Sequence, residues 1–154
     1  MSTRKIEYLP LRSLVSNPSN PKDHDIGMIV ESIERFGFND AVIVDGRTGM
    51  LVGGHGRVEA LRSLWKKGDP APSGILMPGA DQPLDWLVPV QTGWSSKDDA
   101  EAMAFIIAVN RAPELGGWNT PVLETVRPRM GLVMRCSNCA SRVRVLFHAC
   151  ATRA

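Results

Sequence analysis

Gly53-Gly54-His55-Gly56-Arg57 concentrates more chemistry than any other stretch of this 154-residue chain. Three glycines within four residues let backbone amides approach an anion closely. The run that follows, Arg57 to Lys67, places Val58, Leu61, Leu64 and Trp65 on one helical stripe with Ala60 beside it. A strand ending at Val52 therefore feeds, through a glycine turn, into a helix, which brings backbone amides and the positive end of a helix dipole to one point. That point attracts phosphate. Arg57 can fork onto phosphate oxygens, and His55 can exchange a proton or bond to a phosphate. Such a turn taken alone is as often simply a tight turn.

The elements that position the turn are legible on both sides of it. Ile6, Tyr8, Leu9, Leu11 and Leu14 predict a first strand and a short turn, broken by Pro10 and by Asn17-Pro18-Ser19-Asn20-Pro21. Ile26, Ile29, Val30, Ile33 and Phe36 recur at helical spacing, with Asp25 placed to cap the helix and Gly37 to end it in a left-handed conformation. Ala41 to Asp45 and Met50 to Val52 flank Gly46-Arg47-Thr48-Gly49, which predicts a hairpin with both glycines at positive φ. Lys66 to Asp85 holds four prolines and three glycines and is expected to be a mobile surface insertion. Trp86 to Thr92 returns to strand character. Ser96-Lys97-Asp98-Asp99 predicts a capping box for a helix over 100–110, and Asn119-Thr120-Pro121 opens a last short helix.

The series Tyr8-Leu9-Pro10-Leu11, Asn17-Pro18, Asn20-Pro21-Lys22, Ile29-Val30-Glu31-Ser32-Ile33 to Gly37, the hairpin and Gly53 to Arg57 resembles the ParB/sulfiredoxin superfamily, in order as well as in residues. More narrowly it is similar to the phage and methyltransferase-associated branch, in which a Gly-His-x-Arg loop opens an Ala- and Leu-rich helix. Val109-Asn110-Arg111 and Trp118-Asn119 resemble that branch's distal motif. The resemblance spans about residues 6–126. It implies a small α/β (α+β) fold with a mixed sheet and flanking helices, binding CTP or ATP with Mg2+. It also implies a phage-like or mobile-element-like, DNA-associated module whose partners include DNA and a second copy of the chain. Gly53, Gly54, His55, Gly56 and Arg57 would hold the phosphates, with Asn110 and Arg111 nearby.

Two departures from the family pattern bear on catalysis. Relatives that hydrolyse nucleotide usually carry an acidic residue before the matching asparagine, where this chain has Val109. Weak hydrolysis or none is expected unless Glu31, Glu114 or another carboxylate substitutes. Sulfiredoxin-type reduction needs a loop cysteine as nucleophile, and His55 stands in that place. No spaced Asp/Glu cluster suits a two-metal nuclease site either. A binding module is the favoured reading. The alternatives are an enzyme using the triphosphate, with Glu31 or His55 in acid/base work, and a domain that has lost its ligand.

Composition sets the remaining bounds. At 44% hydrophobic and 22% charged residues the chain can bury one core, which predicts a domain over 1–126 and a basic tail over 127–154. Six arginines and no acid follow Glu124, so the net +2 leaves the body at −4. A DNA contact would therefore need a local basic patch or the tail. No apolar run reaches the roughly 20 residues of a membrane span, and the three late cysteines form no disulfide framework, so a soluble, cytoplasmic protein is expected. Cys136, Cys139, His148 and Cys150 offer four ligands for Zn2+, the first two at zinc-knuckle spacing, but the gap of eight residues before His148 is short. The favoured alternative is a tail that is poorly ordered or packs one face as a strand, Val143-Arg144-Val145-Leu146-Phe147, and whose basic charge could meet DNA phosphates. Glu31 and Arg35, at i and i+4, fit a plain surface pair. The resemblance implies that the segment of His24 folds toward the phosphate site, which the ring could then reach, while an Asp-flanked histidine in a loop is more often simply solvated. The four tryptophans read as core or rim aromatics.

Overall fold

The computed structural model describes residues 3–79, 85–116, 119–122 and 125. Its elements in chain order are β1 (Lys5–Pro10), a 3₁₀ turn (Leu11–Ser13), α1 (Ile26–Phe36), β2 (Val42–Asp45), β3 (Leu51–Gly53), α2 (His55–Lys67), β4 (Leu87–Trp94) and α3 (Asp99–Leu115). The strands form one mixed sheet in the order β1-β4-β2-β3. Its outer pairs β1/β4 and β2/β3 are antiparallel and the central pair β2/β4 is parallel. A parallel pair cannot be joined by a tight hairpin, and α2 supplies the crossover that it needs.

The sheet is covered by helices chiefly because two strands bury alternate residues on one side. Val42, Val88 and Val90 join Val30 and Ile33 of α1 and Val58, Leu61 and Leu64 of α2 in the main core, with Trp86 at its edge. Val52, Ala102 and Ile106 are buried but lie outside that cluster, and α3 packs on β3. Trp65 meets Trp86 edge to face and Trp94 stacks on Phe105, so these aromatics serve packing, as their irregular spacing predicts.

Several boundaries differ from the sequence expectation, each for a physical reason. Gly37 ends α1 at φ 82 but ψ 178, an extended mirror conformation open only to glycine, so it is not the left-handed cap that its position suggests. In the hairpin only Gly49 has positive φ; Gly46 instead packs closely on the next strand's end, where a Cβ would lie 2.5 Å from the rotatable Ser95 Oγ and 3.2 Å from the Trp94 carbonyl. α3 is capped by Asp98, which accepts from Glu101 N at 2.8 Å, not by Ser96. Ser96 instead bonds the buried Asp45. α3 also runs on past Asn110 and through Pro113 to Leu115.

The segment expected to be a mobile insertion is partly built into the core. α2 continues through Lys67 and closes on Gly68. Ile75 is buried, Phe38 N donates to Ser73 O at 2.7 Å, and Leu76 bridges to Leu87 at the start of β4. Prolines and glycines deny this stretch regular hydrogen bonding with itself, so it borrows partners from the α1–β2 loop and β4. Residues 80–84 lie outside the described residues, as does the proposed tail over 127–154, whose Cys136, Cys139, His148 and Cys150 bear the zinc expectation. Asn119 does open a turn, its side chain accepting from Val122 N at 3.2 Å.

Candidate functional site

The turn from β3 into α2 is shaped by Gly54. It sits at φ 88, ψ 22 as the residue before the first helical one, a left-handed conformation that a side chain strains. A Cβ there would also come within 2.7 Å of Val42 Cγ1. α1 and α3 begin with Asp25 and Asp98 side chains capping their first amides, whereas no side chain caps α2 and no acid stands in its first turn. The first-turn amides of α2 and its positive dipole end are thus left to other acceptors.

His55 turns inward from this point. It is 7% exposed, its Nε2 accepts from Asn17 N at 3.4 Å, and its ring also hydrogen-bonds the Leu51 backbone. Burial, and then the nearby His24, lower its pKa below the ordinary histidine range, so the ring is neutral near pH 7. The ring's bonds are made within the protein, and the one to Asn17 holds the 17–25 loop against the turn.

That loop crosses the start of α2 at Gly56. A Cβ on Gly56 would lie 2.7 Å from His24 Cγ and 2.8 Å from Ile29 Cδ1, so glycine here is what lets His24 lie flat on the helix. His24 is half-buried rather than simply solvated, and its pKa is lowered by burial and by Lys22, with Glu59 and Asp23 opposing. Its Nε2 faces Asn20 Nδ2 at 3.5 Å.

Arg57 also projects from the first turn. Its Nη1 pairs with Asp40 Oδ2 at 2.9 Å and donates to Asp40 O at 3.1 Å, and burial lowers its pKa against the pull of Asp40. The guanidinium borders a recess of about 430 Å³ between α1 and the α1–β2 loop, walled by Met28, Ile29, Ser32, Phe38 and Asp40. Such a volume falls in the range of small-molecule pockets.

α3 reaches the same region through charge. Glu114 pairs through Oε1 with Lys22 Nζ and through Oε2 with Arg111 Nη1, the latter at 3.2 Å, so Arg111 stands beside the 17–25 loop. Asn110 spends its side-chain amide on Ile106 O of its own helix at 2.8 Å. Glu31 lies on α1, outside the residues walling the recess. Of the carboxylates weighed from sequence, Glu114 is the one joined to the loop. Among the described residues no three His, Cys, Asp or Glu side chains are grouped to hold a metal.

The comparisons with known proteins bear on this arrangement. No protein-family model matches the chain. The ParB-like nuclease domain-containing protein YnaK of Escherichia coli (strain K12) is 38% identical over 63 residues, covering 39% of this chain and 71% of YnaK. This chain belongs to the ParB-like family. The ParB-like architecture extends further than that match. The crystal structure of the C-terminally truncated chromosome-partitioning protein ParB from Caulobacter crescentus, complexed with CTP-γ-S, superposes with a TM-score of 0.52 at 20% identity, over 80% of this chain. The chain spans 60% of that ParB structure, and at this identity the likeness concerns the fold alone.

Sequence reasoning missed Asp40 and the contacts that Asn17 and Glu114 make. Asp40 and Asn17 had no periodic signal, and Lys22 and Glu114 stand 92 residues apart with nothing in either segment to join them. A second omission is Asp45, fully buried at the end of β2. It accepts from Ser96 N and Oγ, both at 2.8 Å, from Arg47 N at 3.1 Å and from Thr48 Oγ1 at 3.0 Å. Burial by itself would raise its pKa, but these donors outweigh it and hold the carboxyl below its ordinary range. This network fixes the hairpin that delivers β3 to the glycine turn.

Proposed function

We propose that this ParB-like domain binds a nucleoside triphosphate, with the phosphates at the uncapped start of α2 and CTP the first candidate, as a nucleotide-responsive, DNA-associated binding module. The observation that carries the reading is the left-handed Gly54 opening a helix whose first amides have no side-chain cap, with Arg57 in its first turn and with Lys22, on the loop that crosses it, joined to Arg111 through Glu114. Supporting it, the structurally similar Caulobacter ParB is complexed with a CTP analogue. In this reading the amides of 54–57 take phosphate oxygens as helix starts do, and His55 works from beneath by holding the 17–25 loop in place. The recess beside Arg57 would receive the nucleoside.

Mg2+ would ride on the phosphate oxygens, as it does where one or two carboxylates at most are at hand. Glu114 is the carboxylate by the loop, but it is committed to Lys22 and Arg111, and slow turnover or none is expected.

Calorimetric titration with CTP, ATP and GTP in the presence of Mg2+ tests this reading, alongside Arg57→Ala and the less buried Lys22→Ala. Saturable binding of one nucleotide, weakened at least tenfold in both variants, is the expected result. No heat with any of the three from folded protein refutes it, and turnover abolished by Arg57→Ala would replace the binding module with an enzyme.

A further inference from the structure

A second cationic feature lies at the far end of α2. Arg62, Trp65 and Lys66 of α2, Leu11 and Arg12 of the 3₁₀ turn, and Asp85 ahead of β4 line a recess of about 340 Å³. At the helical rise of 1.5 Å per residue, Lys66 is roughly 16 Å along the axis from His55, so this recess is separate from the glycine turn.

The charges around it are unevenly satisfied. Asp85 is buried and accepts from Arg12 N at 3.2 Å, Arg12 Nε at 2.9 Å and, through its other oxygen, Trp86 N at 2.9 Å. Its negative charge is therefore met by Arg12. Arg62 donates to the Leu14 carbonyl, a neutral acceptor. Neither Arg62, Lys66 nor Lys67 has a carboxylate partner among the described residues. Three unneutralised cations thus gather on two turns of one helix, in a body where 14 Asp and Glu outnumber 12 Lys and Arg among the described residues. Lysines at a helix end do complement the dipole, but that requires neither Arg62 nor a recess walled by an indole.

We propose that this recess, with Lys66 in its wall and Lys67 next to it in the chain, binds the phosphate backbone of nucleic acid. Trp65 offers an apolar wall to a sugar or base, while Arg62 and the lysines meet phosphates; cations interleaved with an aromatic are the pattern that such surfaces use. The body over 1–126 carries a net negative charge, so a polyanion that meets the body rather than the arginine tail has to be met by such a local cluster. This inference rests on the DNA-associated part of the function proposed above and not on triphosphate binding, so its test is run without nucleotide and its failure leaves the triphosphate site untouched.

Fluorescence anisotropy with a labelled 20-nucleotide strand, single and as duplex, would compare the full chain with Lys66→Glu/Lys67→Glu. A matched double reversal of exposed lysines elsewhere, Lys5→Glu/Lys97→Glu, serves as control. The first pair should weaken binding tenfold or more and, for the duplex, flatten the dependence of log affinity on log salt by about 2, while the control pair stays within about twofold. Three results would overturn the proposal: no binding by the wild-type chain at low salt, equal loss in both variants, or displacement of the DNA by polyglutamate at matched charge, which would make the partner an acidic protein surface.

Discussion

Replacing Gly54 by alanine separates two costs that the structure makes distinct. At φ 88, ψ 22 an alanine pays the left-handed penalty of about 1–2 kcal/mol. Its Cβ would also stand 2.7 Å from Cγ1 of Val42, which is completely buried and has nowhere to move, adding an overpacking cost of about 1–3 kcal/mol. Together these give about 2–5 kcal/mol. Gly68, which closes α2 at φ 78, is the matched reference, because a Cβ there has nothing within 4 Å and should cost only the about 1–2 kcal/mol of strain. Equilibrium urea unfolding followed by tryptophan fluorescence, with Trp65 against Trp86 in the core edge, reads both variants. Gly54→Ala should be the less stable by about 1–3 kcal/mol. Equal destabilisation would show that the approach of Val42 does not constrain the turn, and a loss under about 1 kcal/mol at Gly54 would refute the left-handed conformation itself.

Further outcomes follow from the charges. Asp45 has a lowered carboxyl pKa, so its contribution is complete above the unfolded value and is lost as pH falls through the lower folded one. Asp45→Asn should cost about 2–3 kcal/mol at pH 7 and flatten the fall in unfolding free energy below about pH 4. His55 is also depressed, so protons bind the unfolded chain more readily and stability should decline as pH drops below about 6.5. His55→Gln should shrink that decline in denaturation curves taken between pH 7 and 5; an unchanged slope would refute the burial argument. Glu114→Gln frees Lys22 and Arg111 from a competing carboxylate and should tighten triphosphate binding severalfold by calorimetry. Weaker binding would instead assign Glu114 to the ligand or its metal ion.

What the sequence by itself determined is the local part of this protein. The spacing of Ile26, Ile29, Val30, Ile33 and Phe36 and the cap at Asp25 specify α1, because helical period and capping are short-range physics. The glycines of 53–56 announce a turn into a helix for the same reason, and the ordered motifs from Tyr8 to Arg57 carry the ParB-like resemblance. The −4 charge of the body implies that a DNA contact on it would need a local patch but could not say where cations cluster, since Arg12, Arg62 and Lys66 gather only when the 3₁₀ turn packs on α2. Tertiary structure alone turned His55 inward, spent Asp45 on Ser96 and brought Glu114 to Lys22. Each of these joins segments 38 to 92 residues apart. Such contacts are set by how helices settle on a sheet, and neither periodicity nor propensity encodes that.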